Sequence, residues 1–323
     1  MLVARAKHQH HVSGNPAKRA SGPVTPPRPA GPVGARDWIG AARLRTLPLA
    51  ITPILIGTGA AVLADPEHRF QTLTAILCFV VSVALQIGVN FANDYSDGVR
   101  GTDDFRVGPA RLTASGRVSP RSVLITALAF FGIAALAGLA IVIRSGQWWM
   151  LAIGAVCIVA AWFYTGGRRP YGYNALGEVF VFVFFGLVAT LGTTWVQALH
   201  LPQEAWFGAV AAGFLACAVL LANNLRDIDQ DREAGKRTLS VVIGPIGTKI
   251  LYTVLVVLAY LIAAWIALFY PVAWLALFGL VAGGPAIVIV WSYRAPRELV
   301  TALALTSISS PVYGFFLAWA YIG

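Results

Sequence analysis

Charge is what this sequence has least of. Only 12% of its 323 residues are Asp, Glu, Lys or Arg, and 14 are acidic, while 58% are hydrophobic and the mean hydropathy is +0.71. A chain of this length could not hide so much apolar surface in water. A soluble protein is therefore excluded and a polytopic membrane protein is expected. Cysteine is scarce as well. Cys78, Cys157 and Cys217 all fall inside apolar runs. That placement argues against a disulfide framework, a thiolate metal cluster and a thiol nucleophile, and leaves buried filler as their role. The net charge of +10 does not signal nucleic acid, because the Lys and Arg fall between apolar runs, as membrane topology requires. The expected partner is the lipid bilayer, with no nucleic acid.

What is present is a series of apolar runs. Residues 1–36 are rich in Pro, Ala, Gly and Arg and have no apolar signal core, so a disordered cytoplasmic tail is expected. His8, His10 and His11 read as part of that solvated tail. Residues 37–323 form a single transmembrane domain. Asp37–Arg45 (DWIGAARLR) predicts a short interfacial helix with a Trp anchor. Nine runs near the ~20 residues needed to span follow, at 47–64, 71–92, 121–143, 148–164, 175–199, 205–225, 249–269, 271–292 and 299–321. The fold class is thus all-α, with nine transmembrane helices. Of the 24 Lys and Arg, 22 fall on one side of this arrangement, leaving Arg69 and Arg144 on the other. Positive-inside then places the N-terminus in the cytoplasm of a cell (plasma) membrane protein.

The few acids are not scattered. Asp94, Asp97, Asp103 and Asp104 share the stretch Asn90–Asp104 (NFANDYSDGVRGTDD), and Asp227, Asp229, Asp231 and Glu233 share Asn223–Leu239 (NNLRDIDQDREAGKRTL). A carboxylate at the bilayer centre costs roughly 2.5–3.5 kcal/mol, so such groups belong at a membrane face or in a wet cavity. Each set ends an apolar run, after spans two and six. Residues three and four apart share a helix face. Asn90, Asp94 and Asp97 therefore point one way, as do Asn223, Asp227 and Asp231. Two acidic faces aimed at one cavity repel unless cations lie between them. Mg²⁺ fits, because it takes hard oxygen ligands and typically uses one or two carboxylates plus phosphate oxygens. Interleaved arginines and Lys236 favour a polyanion held through the metal. The reading is a Mg²⁺–diphosphate site at the cytoplasmic face. The echo of the two sets, each followed by a basic stretch (Arg111–Thr113, Arg237–Leu239), implies two pseudo-repeated helix bundles with the site between them.

A third loop, Tyr164–Glu178 (YTGGRRPYGYNALGE), lies on the same side. Its tyrosines could shield an allylic cation, each by roughly 0.5–2 kcal/mol, or form an interfacial aromatic belt. Tyr164 stands between the two readings, and Tyr173 is assigned to the belt. Glu178 is either a functional hydrogen-bonding carboxylate or a helix-start acid.

Together NDYSDGVRGTDD, RLTASG, YTGG with PYGYNALGE, and NNLRDIDQDREAGKRTL resemble the UbiA-type intramembrane aromatic prenyltransferases, from Arg43 through span nine. Within them the pattern is most similar to the 1,4-dihydroxy-2-naphthoate polyprenyltransferases of menaquinone synthesis. The resemblance implies nine helices around a central cavity that opens to lipid, and Mg²⁺ held on a polyprenyl diphosphate by Asp94, Asp97, Asp227 and Asp231. In the resemblance Asn90 matches the first motif and Arg111 and Lys236 its basic diphosphate contacts; Asn93, Asn223, Asn224 and Tyr171 are further candidate substrate contacts and Tyr164 a candidate catalytic residue. Arg43 or Arg45 would meet the carboxylate of the aromatic acid, and Tyr164-x-x-x-Arg168 stands where some relatives carry Tyr-x-x-x-Lys. The third acid of the family's first motif would fall at Gly101, with Asp103 two residues later. Transfer to another acceptor, such as 4-hydroxybenzoate, homogentisate or a phosphosugar, would use the same diphosphate motifs. A cation-coupled transporter would instead carry its acids at mid-span.

Overall fold

The computed structural model describes residues 32–65, 67, 71–101 and 111–323. His8, His10, His11 and most of the predicted tail lie outside them, as do Arg69, Asp103 and Asp104. The described residues are helical, with a single isolated bridge between Asn174 and Arg237 and no strand. The predicted tail boundary moves: α1 (Ala35–Ala41) begins two residues before it, and Arg117 ties this segment down through Asp37 and the Pro32 carbonyl.

A 3₁₀ turn (Leu44–Thr46) follows, and the chain bends by 47° into α2 (Pro48–Ala64). α3 (Thr72–Arg100) is closed by left-handed Gly101, and α4 (Pro120–Ser145) by left-handed Gly146. α5 (Met150–Phe163) is the shortest span, about 21 Å at 1.5 Å per residue, and the tryptophan pair Trp148–Trp149 extends it outward. The fifth span is α6 (Gly177–Val181), a π-helical stretch (Phe182–Val188) and α7 (Ala189–Ala198). α8 (Gln203–Arg226) and the short α9 (Ile228–Glu233) carry the second acidic set. α10 (Leu239–Ile266) breaks at Gly244–Pro245. A 3₁₀ segment (Pro271–Gly279) leads into α11 (Leu280–Ser292), and α12 (Leu299–Ile322) closes the described chain. Seven of these spans are long and apolar enough to cross a bilayer, the bent α1–α2 pair supplies an eighth, and α5 is the short ninth. The predicted division at Tyr270–Pro271 is where helix gives way to the 3₁₀ segment.

The Ala- and Gly-rich α8 is the buried axis, packed by α2, α10 and α12. Lipid tails are as apolar as leucine, so close backbone approach rather than water exclusion draws such helices together. Gly59 shows how close: a Cβ there would lie 2.7 Å from the Cα of Ala318 on α12. Interhelical hydroxyls add Thr52–Ser310 at 2.8 Å and Thr194 to the Gly57 carbonyl at 3.0 Å.

Around the bend before α2, backbone carbonyls turn to side-chain partners. α3 satisfies them with a ladder of side chains four residues apart. Ser82 donates to the Ala50 carbonyl, Gln86 to Thr46 and Asn90 to Ala42. This ladder fixes the first turn of the chain against the helix that carries the first acidic set. At the opposite end of α3, Gln71 donates to the Gln197 carbonyl, just before α8 begins. α3 and α8 therefore run in the same direction and end at the same face, as a parallel repeat requires.

Candidate active site

A cavity of about 580 Å³ runs down the bundle. Its lower walls are apolar, from Cys78 and Val81 on α3 to Met150 and Ile158 on α5 and Val188 and Val196 on the fifth span. Its mouth is polar. Arg43, Asn90, Asn93, Asp97, Arg111, Tyr164, Tyr171, Asn223, Asn224, Asp227, Asp231 and Lys236 all line it. Twelve of the fifteen predicted site residues are thus brought to one place.

Asp97 is the centre of the first set. Its buried carboxylate accepts from Lys236 Nζ at 3.2 Å, from the Arg111 guanidinium at 3.3 Å and from the Tyr173 hydroxyl. The Lys236 ammonium also lies 4.8 Å from the Tyr173 ring centroid, a cation–π distance. Lys236 follows the second acidic set, and its backbone N–H donates to the Asp231 carbonyl at 2.7 Å. One residue therefore joins the two islands. In the second set, Asp227 caps α8 and is gripped by both arms of its neighbour Arg226, each at 2.6 Å. The same guanidinium reaches the Asn223 side-chain oxygen at 2.9 Å.

The third loop packs at the mouth. Thr165 donates to Asn93 Oδ1 at 2.6 Å, and Arg100 donates to the carbonyls of Thr165 and Gly167. The Tyr171 hydroxyl goes to the Ala160 carbonyl at 2.8 Å, and its ring stacks on Phe180 at 3.9 Å and meets Tyr164 edge-on at 5.5 Å. The Tyr173 carbonyl accepts from the Arg237 N–H at 3.0 Å, which stitches this loop to the second island.

Three predicted residues are placed differently. Asp94 does not line the cavity. It is 1% exposed, and its two oxygens accept the backbone N–H groups of Leu112 and Thr113 at 2.9 Å each. Where a metal ligand is expected, Asp94 instead anchors the 111–116 turn, away from the cavity wall. Arg45 is exposed and off the cavity wall, because left-handed Arg43 turns the chain there; Arg43 alone of the two faces in. Arg168 is also exposed, because left-handed Gly167 carries it outward. Conversely, Tyr173, assigned to the lipid belt, lines the cavity mouth and bonds Asp97, and Arg100 supports its loop. The signal that could have found both is the clustering of Tyr, Gly and Arg in a short loop facing two acidic motifs.

A helical bundle that crosses the bilayer and gathers acids, amides and bases at a single mouth above an apolar cavity has the form of an intramembrane enzyme. That form suits a substrate with a charged head and a long apolar tail. The chain belongs to the UbiA prenyltransferase family, which matches residues 50–319. It is 47% identical over 288 residues to the 1,4-dihydroxy-2-naphthoate octaprenyltransferase of Mycobacterium tuberculosis, covering 88% of this chain and 96% of that one. It is 35% identical to the enzyme of the same name from Haemophilus influenzae, covering 84% and 91%. Among solved structures, a UbiA homologue from Archaeoglobus fulgidus bound to GPP and Mg²⁺ shares the fold, with a TM-score of 0.63 at 15% identity over 88% of this chain and 99% of that one.

Proposed function

We propose that this chain transfers a polyprenyl group from a polyprenyl diphosphate to 1,4-dihydroxy-2-naphthoate, releasing diphosphate and CO₂ and giving demethylmenaquinol. The observation that carries the reading is the meeting of the two acidic sets at one mouth, joined by Lys236, above an apolar cavity. The relatives of that name, matched over nearly their whole length, support the choice of acceptor.

Among the described residues, no three His, Cys, Asp or Glu side chains form a metal cage of their own. The donor set nonetheless suits Mg²⁺, which seldom uses an all-protein cage and takes one or two carboxylates with substrate phosphates. Asp97, Asp227 and Asp231 would hold it. When bound, Mg²⁺ neutralises charge on the departing diphosphate. The chain's own part follows from placement. Lys236 and Arg111 already sit on the Asp97 carboxylate at the cavity wall and are the groups that meet diphosphate oxygens. As the allylic C–O bond breaks, they stabilise the charge that grows on the leaving oxygen. The rings of Tyr164, Tyr171 and Tyr173 face the cavity beside that headgroup, where they shield the allylic cation and keep water away. The ring carbon bearing the carboxylate supplies the electron pair for the new C–C bond. The carboxylate leaves as CO₂, returning its electron pair to the ring. Arg43, on the cavity wall, is the residue for the acid before it leaves. The excess of Lys and Arg on the side of the mouth supports a cytoplasmic active site in a plasma membrane.

The test is an assay of membranes containing the protein with radiolabelled dihydroxynaphthoate, octaprenyl diphosphate and Mg²⁺. A lipid-soluble labelled product is expected, and chelation should stop its formation until Mg²⁺ is returned. No product overturns the reading. Product from 4-hydroxybenzoate in place of the naphthoate would keep the chemistry and change the acceptor.

A further inference from the structure

The mouth carries four asparagines, and the chemistry of their partners dictates which end of each amide is spent. A guanidinium can only donate, so the Arg226 contact consumes the oxygen of Asn223 and leaves its NH₂ for the cavity. A carboxylate can only accept. Glu178 Oε1 therefore takes the NH₂ of Asn224, at 3.0 Å, and leaves the Asn224 oxygen. Neighbouring residues on one helix end thus have opposite polarity. The same alternation holds on α3, where Asn93 gives up its oxygen to Thr165 and Asn90 gives up its NH₂ to the Ala42 carbonyl. Amide N–H groups suit diphosphate. A bare amide oxygen beside them suits a hydroxyl.

Glu178 is costly to hold. It is 7% exposed, and its Oε2 has no hydrogen-bond partner among the described residues. The loop that delivers it passes through Ala175 in the left-handed region, at φ 55°, a strain of order 1–3 kcal/mol for a residue with a side chain. Two residues on one face of α8, seven apart, grip it: the Cys217 thiol donates to its backbone carbonyl at 3.1 Å and Asn224 to its side chain. Leu220 between them packs on Gly177. A buried acid with an orphan oxygen on a strained loop calls for a reason beyond packing.

We propose that Glu178 is a positioning residue that fixes the amide polarity of Asn224, so that Asn224 Oδ1 accepts a hydroxyl of the aromatic substrate. This rests on the prenyl-transfer reading but not on the naphthoate itself, since any hydroxylated acceptor the enzyme turns over serves the test. Steady-state kinetics in membranes would compare the two substrates and Mg²⁺ for four variants. Glu178→Ala should raise the KM for the aromatic substrate about tenfold or more, the scale on which a site built for a hydroxyl fails when its polar group is misplaced. The KM for polyprenyl diphosphate and the Mg²⁺ requirement should stay within about twofold of the native values. Glu178→Gln keeps an accepting carbonyl and should remain close to the native enzyme. Asn224→Asp sets two carboxyl groups against each other and should impair the aromatic KM. The double variant Glu178→Gln with Asn224→Asp reverses the donor and acceptor while leaving an oxygen for the cavity, and should recover most of that loss. An unchanged aromatic KM in Glu178→Ala overturns the proposal, as does an equal rise for diphosphate or Mg²⁺. A double variant no better than Asn224→Asp alone also overturns it, and that comparison decides the matter if Glu178→Ala fails to accumulate. If native membranes prenylate no acceptor at all, it is the functional reading that has failed.

Discussion

The two acidic islands resemble each other in sequence and differ in how their acids are held. In the first, Asp94 and Asp97 are both held by residues from elsewhere in the chain. Asp94 is held by the turn at Leu112 and Thr113, and Asp97 by Arg111, Tyr173 and Lys236. In the second, Asp227 is gripped by the residue before it. A local pair forms with the helix end, whereas a tertiary cluster forms only when three loops have docked. The first island thus reports the assembly of the site, and the second brings a ready-made acid–base unit to it. Breaking each kind of contact should have different consequences.

The largest effects should come from the acids facing the cavity. Asp97→Ala and Asp227→Ala should each lower turnover by about a thousandfold or more, since each strips a metal or phosphate contact from the charge that develops on the leaving group. Both proteins should still accumulate in membranes, which immunoblotting of the membrane fraction would check. Near-native activity in either would remove that acid from the proposed metal–diphosphate site.

Asp94→Asn sharpens the contrast within the first island. An amide in place of the carboxylate sets an NH₂ against a backbone N–H. Losing one buried acceptor costs about 1–3 kcal/mol. Thermal unfolding in detergent should shift down by several degrees, and the Mg²⁺ concentration for half-maximal activity should not change. A raised Mg²⁺ requirement with unchanged unfolding would return Asp94 to the metal site. Tyr173→Phe is milder. It removes one donor to Asp97 and leaves the ring over which Lys236 sits. A fall of about tenfold in kcat/KM is expected, equal to about 1.4 kcal/mol.

The asymmetry also shows what could be read in advance. The spans were legible because each is a long apolar run, and several ends carry the Pro and Gly that start and stop helices, as at Pro120, Gly101 and Gly146. Which residues gather at the mouth was largely legible because acids are so rare here that two clusters at span ends had few other uses. The division of labour was not. Helical spacing places Asp94 and Asp97 on neighbouring positions of one face, and nothing local says that the backbone of residues 112–113 will claim one and the cavity the other. Tyr173 was misassigned for the same reason. A tyrosine near a membrane face satisfies the belt and the site equally until the strap from Asn174 to Arg237 is known.

Arg168 is the smallest and most discriminating case. Its spacing from Tyr164 suggests a basic diphosphate contact, yet Gly167 in the left-handed region, at φ 74°, swings it into solvent. The loop is instead fastened by Arg100, which reaches across from the first island to the carbonyls of Thr165 and Gly167. An exposed arginine with no cavity wall beside it contributes within about 0.5 kcal/mol to stability. Arg168→Ala should therefore leave kcat and both KM values within about twofold of native, while Arg100→Ala loosens the loop that carries Tyr171 and Tyr173 and lowers kcat/KM by about tenfold. The order of the two effects is the point. If Arg168→Ala were the more damaging, the loop would have to turn inward on binding diphosphate, and the first island would share its work with the third loop rather than merely anchor it.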